Sequence, residues 1–319
     1  MRRRSALRLL HCIALAFLAV ATSLIFAGAA RGQTSSITVT DDVGREVRMV
    51  QPVKRIVSLA PSVTETIFAL GAQDRLVGDT DFCDYPPEAR QKPHVGSVMA
   101  PNLEEIVALK PDVVIASKAG NRIETVRALE SLHIAVYGTY ARSVADVLQS
   151  MQKLARVIGA EEQGDKIAAA LQARLDALHQ QLQNVPRVRV LFVVWRDPLI
   201  SMGQQTFLAD AMRAAGAESV ITSEQDWPHV SMEEMVKLQP DYLVFSADDR
   251  ARGQQEFAAI VDTPGWRDLR AVREKRVAIV PDAISYPAPR LIDAIEVLAR
   301  QLHPEAFSSP STPQREIAR

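Results

Sequence analysis

The chain has 319 residues, 47% of them apolar and 24% charged, enough to bury one large core or two ordinary ones. Its 37 basic and 38 acidic residues nearly cancel, so charge gives no case for nucleic acid or for an anionic membrane surface as partner. Two domains are expected, and any partner must be read from local features.

Arg2, Arg3, Arg4 and Arg8 precede an apolar run from Ile13 to Phe26, which is followed by Ala27, Gly28, Ala29 and Ala30. This is the three-part layout of a secretory signal peptide, predicted over residues 1–30. The apolar run is about 14 residues, short of the roughly 20 that span hydrocarbon. Cys12 lies before that run and not at the cleavage point, so the sequence predicts a soluble periplasmic product that is not a lipoprotein. After cleavage only Cys83 remains, and no disulfide within the chain is possible. Cys83 is expected to be a small, half-buried packing residue.

From Ile37 to Val50 apolar and polar residues alternate around Asp42–Gly44, which predicts a β-hairpin within an N-terminal segment, 31–54. Ile56–Leu59 is then a short strand, Pro61-Ser62 a turn, and Val63–Leu70 a helix closed by Gly71. The runs Val113–Ala116 and Ile134–Val136 are apolar throughout, as strands covered on both faces tend to be. These elements predict an α/β lobe over 55–160 with a mostly parallel sheet. Residues 143–184 read as helix with a break at Gly159. Beyond it Ile167, Leu171, Leu175, Leu178 and Leu182 form one apolar stripe, so a single helix, 161–185, is expected to join the lobes. Strand and helix alternate again from Val188, giving a second Rossmann-like α/β lobe, 186–303, and a flexible tail, 304–319.

Residues 102–117 align without a gap on residues 231–246, with seven of sixteen positions identical. A weaker echo pairs Ala69-Leu-Gly-Ala72 with Ala214-Ala-Gly-Ala217. Two copies of one supersecondary unit imply pseudo-twofold lobes rather than a solenoid. Each copy opens on a helix N-cap, Asn102 or Ser231, with Glu105 or Glu234 three residues on, the pattern of a reciprocal capping box. Glu104 and Glu233 are not needed for that box. Each either serves the helix dipole locally or is an outward carboxylate suited to an arginine on a twofold partner.

Four segments, Arg55-Ile-Val-Ser-Leu-Ala-Pro-Ser-Val-Thr-Glu65, Asp84-Tyr-Pro-Pro-Glu88, Asn102-Leu-Glu-Glu-Ile-Val-Ala-Leu-Lys-Pro-Asp112 and Trp227-Pro-His-Val-Ser231, together resemble the periplasmic binding proteins of ABC importers for vitamin B12, haem and ferric siderophores. The cobalamin-binding branch is the most similar. The resemblance implies two α/β lobes on a rigid helix, a ligand held between them, no catalysis and no resident cofactor. It implies a monomer that docks on a permease dimer in the inner membrane through Glu104 and Glu233. Phe82 stands where that branch has a ligand-facing tyrosine, and Trp227 matches its tryptophan. Val98 and Ser117 stand where cobalamin binders carry tryptophans.

A corrinoid is a wide, mostly uncharged ring fringed with amides, so aromatic surface and a few hydrogen-bonding groups suit it. The candidate ligand-binding residues are Pro61, Ser62, Phe82, Tyr85, Trp195, Arg196, Trp227, Asp282 and Tyr286. A ferric siderophore or haem is the alternative, and Arg122, Arg142, Arg196 and Arg290 could serve the anionic groups of a siderophore. His229 is expected to serve a surface or hydrogen-bonding role, and the scattered histidines give no metal site. No nucleophile elbow or phosphate-binding glycine loop is present, so an exported enzyme is the weaker reading.

Overall fold

The computed structural model describes residues 35–247 and 249–308. The predicted signal peptide and residues 309–319 of the expected tail lie outside them. The hairpin pairs β1 (Ser35–Thr40) with β2 (Glu46–Gln51) antiparallel. Asp41 Oδ1 accepts the Val43 and Arg45 N–H groups at 3.1 and 2.8 Å and so holds the turn, with Gly44 in the left-handed region at φ 83°.

The N-terminal lobe follows as β3 (Ile56–Ser58), α1 (Pro61–Ala69), β4 (Leu76–Gly78), α2 (Leu103–Ala108), β5 (Val113–Ser117), α3 (Ile123–Ser131) and β6 (Val136–Thr139). Its strands are parallel in the order β4-β3-β5-β6. Two local readings need correction. Pro61 and Ser62 are not a turn but the first residues of α1, since proline at N1 lacks only an N–H that the helix leaves unpaired anyway. The third strand run starts later than Ile134, because the Ile134 N–H is still held by the Leu129 carbonyl at 3.1 Å as the chain reverses at His133.

Two helices come next, α4 (Val144–Ile158) and α5 (Glu161–Leu182), separated at Gly159, which caps α4 at φ 69°. The C-terminal lobe comprises β7 (Val188–Val193), a small β8–β9 hairpin (Trp195–Arg196 with Leu199–Ile200), α6 (Phe207–Ala214), β10 (Ala217–Ser219), α7 (Met232–Leu238), β11 (Tyr242–Ser246), α8 (Arg250–Ala258), α9 (Arg270–Arg273), β12 (Val277–Val280) and α10 (Leu291–Leu302). Its main sheet is parallel in the order β10-β7-β11-β12.

The two sheets therefore have the same topology, and the sequence repeat is α2–β5 against α7–β11. Lys110 and Gln239 occupy matching positions and both take φ 47° just before the proline that lies two residues ahead of the strand. Asp112 Oδ2 accepts the Lys54 and Arg55 N–H groups at 2.7 and 2.8 Å, and Asp241 Oδ2 accepts the Arg189 N–H at 3.0 Å. Each aspartate thus ties its own strand to the start of the neighbouring one. Asn102 and Ser231 cap as predicted, accepting N–H bonds from Glu104 and Glu105 and from Glu234. The reciprocal half of the box is formed at neither cap, and at Asn102 the cap's own N–H donates to Val95 O at 2.7 Å and has no need of Glu105. A complete capping box occurs instead at Ser143 with Asp146.

Each sheet is covered on both faces. Val57, Val114, Ala116 and Val136 face one satellite core, and Leu191, Leu243 and Phe245 face its counterpart. The opposite faces, with Ile56, Ile115 and Tyr137 on one sheet and Val190, Phe192 and Val244 on the other, belong to a single core that also contains Leu154, Leu171 and Ile295. That core runs from one lobe to the other through α4, α5, α6 and α10. Arg174 on α5 adds ion pairs to Glu296 at 2.9 Å and Asp293 at 2.6 Å on α10. The expected flexible tail begins with an ordered 3-10 turn, Pro304–Phe307, because Ala306 and Phe307 pack on this core and Arg300 stacks on Phe307.

Candidate ligand cleft

Parallel strands deliver the loops at their C-terminal ends to one edge of a sheet, where α/β proteins place their ligands. The loop after β4 is pinched at its base by the Asp79 and His94 backbones, which bridge, and Val95 N–H donates to Asp79 O at 2.7 Å. Within this loop Cys83 is buried, its sulfur 3.2 Å from Thr64 Oγ1 and 3.3 Å from Thr80 Oγ1, and burial pushes its thiol pKa up. The anchored cysteine is a packing residue as expected, but it is fully buried and not half-buried, because Thr64 and Thr80 enclose its sulfur. Phe82 and Tyr85 on either side of it point outward instead, 60% and 41% exposed.

In the second lobe Trp195 follows β7 and Trp227 lies in the loop after β10. The Trp195 indole N–H donates to Asp197 O at 2.8 Å, which holds the ring while leaving it 62% exposed. Trp227 is 45% exposed, and its neighbours Asp226 and Pro228 accept N–H bonds from Gly203 and Ser201 at 3.0 and 3.2 Å. A Cβ on Gly203 would sit 1.8 Å from Gln225 O, so only glycine lets the two segments approach closely enough to support Trp227. Among the described residues, Phe82, Tyr85, Trp195 and Trp227 are the exposed aromatic side chains, and all four stand in the segments that follow strand ends, Trp195 in the β8–β9 hairpin after β7.

Trp195, Arg196 and Asp282 line one cavity of about 710 Å³ at the C-terminal ends of β7, β11 and β12. Sequence reasoning missed other polar residues of its wall, Arg252 and Glu256 from α8 among them, because that helix has no apolar periodicity to mark its orientation. Tyr85 lines a separate crevice of about 500 Å³ with Glu65 and Arg290, and Ser62 lines neither. Pro61 is the first residue of α1, just after β3, and lines neither cavity. Tyr286 is half-buried in the chain between Asp282 and α10.

Of the four arginines available for an anionic ligand, three are engaged. Arg290 is paired with Glu65 across the lobes and lies 3.3 Å from the Tyr85 ring centre, Arg142 donates to Gln205 O at 3.3 Å, and Arg196 pairs with Glu256 at 2.9 Å. The Arg122 side chain makes no hydrogen bond or ion pair among the described residues. His229 is exposed, and its backbone bridges Ile200. Glu104 and Glu233 are exposed in the first turns of α2 and α7, and Glu233 pairs with Lys237 at 2.7 Å.

The model of the family described as periplasmic binding protein matches residues 56–284, which spans both sheets. The chain belongs to this family. It is a solute-binding protein of the ABC-importer class and not an enzyme, and such proteins work with membrane permeases. An uncharacterized ABC transporter substrate-binding lipoprotein of Bacillus subtilis is 29% identical over 279 residues, 85% of this chain and 87% of the relative. The vitamin B12-binding protein of Vibrio cholerae is 30% identical over 254 residues, 79% of this chain and 90% of the relative. The crystal structure of a periplasmic vitamin B12-binding protein from that organism superposes with a TM-score of 0.70 at 28% identity, covering 81% of this chain and 99% of that one. A periplasmic haem-binding protein from Roseiflexus superposes equally well, with a TM-score of 0.70 at 26% identity over 80% of this chain and 99% of that one. The Bacillus relative is named a lipoprotein, which overturns the sequence expectation that this chain is not one. That expectation rested on the position of Cys12, in a segment outside the described residues.

The loop that carries Phe82 and Tyr85 contains a titration. Asp79 is fully buried, its Oδ1 is 2.8 Å from His94 Nδ1, and its Oδ2 has no hydrogen-bond partner. Loss of hydration outweighs the attraction of His94 and Lys92, and the Asp79 pKa is raised to about 6. A raised folded-state value means that the group contributes stability below its unfolded value of 3.8 and loses it as pH rises through about 6. Asp79→Asn is therefore expected to stabilise the protein at neutral pH by roughly 1–3 kcal/mol. Denaturation followed from acid to neutral pH should show this gain vanish below about pH 4.

Proposed function

We propose that the chain captures a corrinoid of the vitamin B12 type between its lobes and hands it to an ABC importer through Glu104 and Glu233. The observation that carries the ligand reading is the set of four exposed aromatics in the segments that follow strand ends, since a wide uncharged ring is gripped by aromatic faces more than by charges. The engagement of Arg142, Arg196 and Arg290 with protein partners supports the same reading. The vitamin B12-binding relatives add to it. Haem is the second reading, favoured by the similarity to the Roseiflexus haem-binding protein.

Titration with cyanocobalamin, hemin and ferric siderophores, followed by tryptophan fluorescence, tests the ligand. Saturable quenching by cyanocobalamin at far lower concentration than by the others supports the corrinoid reading, and preference for hemin replaces it with the second. For delivery, Glu104→Ala combined with Glu233→Ala is expected to leave ligand affinity within about twofold while uptake in cells falls at least about tenfold, because both carboxylates lie on the surface and neither lines the cavity. Equal loss of ligand binding would place these residues in the cleft instead.

A further inference from the structure

Among the described residues, the charged ones lining the 710 Å³ cavity are two arginines, Arg196 and Arg252, against three carboxylates, Asp197, Glu256 and Asp282. The described wall therefore has no surplus cation with which to receive an anionic ligand. Neither Arg252 nor Asp282 is free, and Arg196 Nε donates to Glu256 Oε2 at 2.9 Å. Arg196 and Glu256 are 39% and 38% exposed, so a ligand in the cavity reaches both ends of the pair.

The two ends demand different partners. A guanidinium offers only donors, and a carboxylate offers only acceptors. A primary amide has both, so its carbonyl can accept from Arg196 while its NH2 group donates to Glu256. A ligand carboxylate has no hydrogen to donate, and on reaching Arg196 it would meet the like charge of Glu256 on the same guanidinium.

We infer that the Arg196–Glu256 pair is a charge filter in the ligand cleft, admitting a neutral amide-bearing ligand and disfavouring a carboxylate in the same place. The inference rests on the cleft assigned above and names the residues that would separate an amide-fringed ring from one carrying carboxylates. Trp195, next in the chain to Arg196, would carry the ring, and Glu256 on α8 would read the fringe.

Hemin and hemin dimethyl ester share one ring and differ by two carboxylate charges, so their relative affinity isolates the filter from ring recognition. The wild type should bind the ester at least about tenfold more tightly than hemin, Glu256→Gln should reduce that ratio below about threefold, and Glu256→Asp should restore most of it. Thermal melting of each variant accompanies the titrations, and Glu256→Asp checks that the effect follows charge and not the fold. An ester-to-hemin ratio that is the same in wild type and Glu256→Gln overturns the inference. Absence of binding by all three rings, cyanocobalamin included, overturns it together with the cleft assignment. If cyanocobalamin alone fails to bind while the porphyrin ratio still collapses in Glu256→Gln, the filter stands and the corrinoid reading falls.

Discussion

Arg290→Ala should lower the free energy of unfolding by about 3 kcal/mol, the largest single-residue stability effect expected here. Glu65 lies on α1 of the first lobe with its side chain 4% exposed, and Arg290 reaches it from the head of α10 with Nε–Oε2 and Nη2–Oε1 distances of 2.9 and 2.5 Å. Burial raises the Glu65 pKa even with the arginine in place, the hydrogen bonds and charge of Arg290 opposing the shift without cancelling it. Without Arg290 the carboxylate stays buried with no counter-charge. Because Arg290 itself keeps 29% of its exposure, the loss falls at the lower end of what a broken buried pair costs, about 3–5 kcal/mol.

The pH dependence checks the cause. A folded-state pKa raised above 4.5 means that Glu65 favours folding most when protonated, and the benefit is lost as pH rises through the folded value. Removing Arg290 raises that value further, so the deficit should be smallest near pH 4.5 and grow toward neutrality. Adding Glu65→Met to the variant should recover much of the loss, since no buried charge then remains. A deficit below about 1 kcal/mol that does not vary with pH would show that solvent screens the pair.

The second large effect is on binding. Trp195→Ala and Trp227→Ala should each weaken cyanocobalamin affinity by about 2 kcal/mol, roughly thirtyfold, from the loss of an aromatic face that ligand would cover. The Trp195 ring makes one hydrogen bond, to Asp197 O, the backbone on either side of Trp227 is held by Ser201 and Gly203, and neither ring belongs to a core, so neither variant should lower the melting temperature by more than a few degrees. Equilibrium dialysis reads the affinities without relying on the removed fluorophores. Unchanged affinity in both variants would mean that the exposed rings serve another contact.

Much of the architecture was legible because the same short pattern occurs twice. Asn102 and Ser231, Pro111 and Pro240, Asp112 and Asp241 each perform a local task that needs that residue type, and the matching strands, apolar throughout, declare burial on both faces. What the pattern did not show is tertiary. Nothing in the stripe along α5 says that one core crosses between the lobes, or that Glu65 would find Arg290 some two hundred residues away.

Phe82, Tyr85 and Trp227 were readable from the family motifs and Trp195 only as an aromatic at a strand end, whereas Glu256 and Arg252 were not readable, because α8 shows no period that tells which face meets the cavity. The reciprocal capping box failed at Asn102 for a similar reason. Its N–H is claimed by Val95, a partner that sequence spacing cannot reveal.

A crystal structure of the protein with cyanocobalamin tests the central claim most directly. The corrin should lie between the lobes, with Phe82 or Tyr85 from the first lobe and Trp195 and Trp227 from the second against its faces and edges, and with an amide arm at Arg196 and Glu256. Density for the ligand away from these loops, or a ligand touching one lobe alone, would contradict the account.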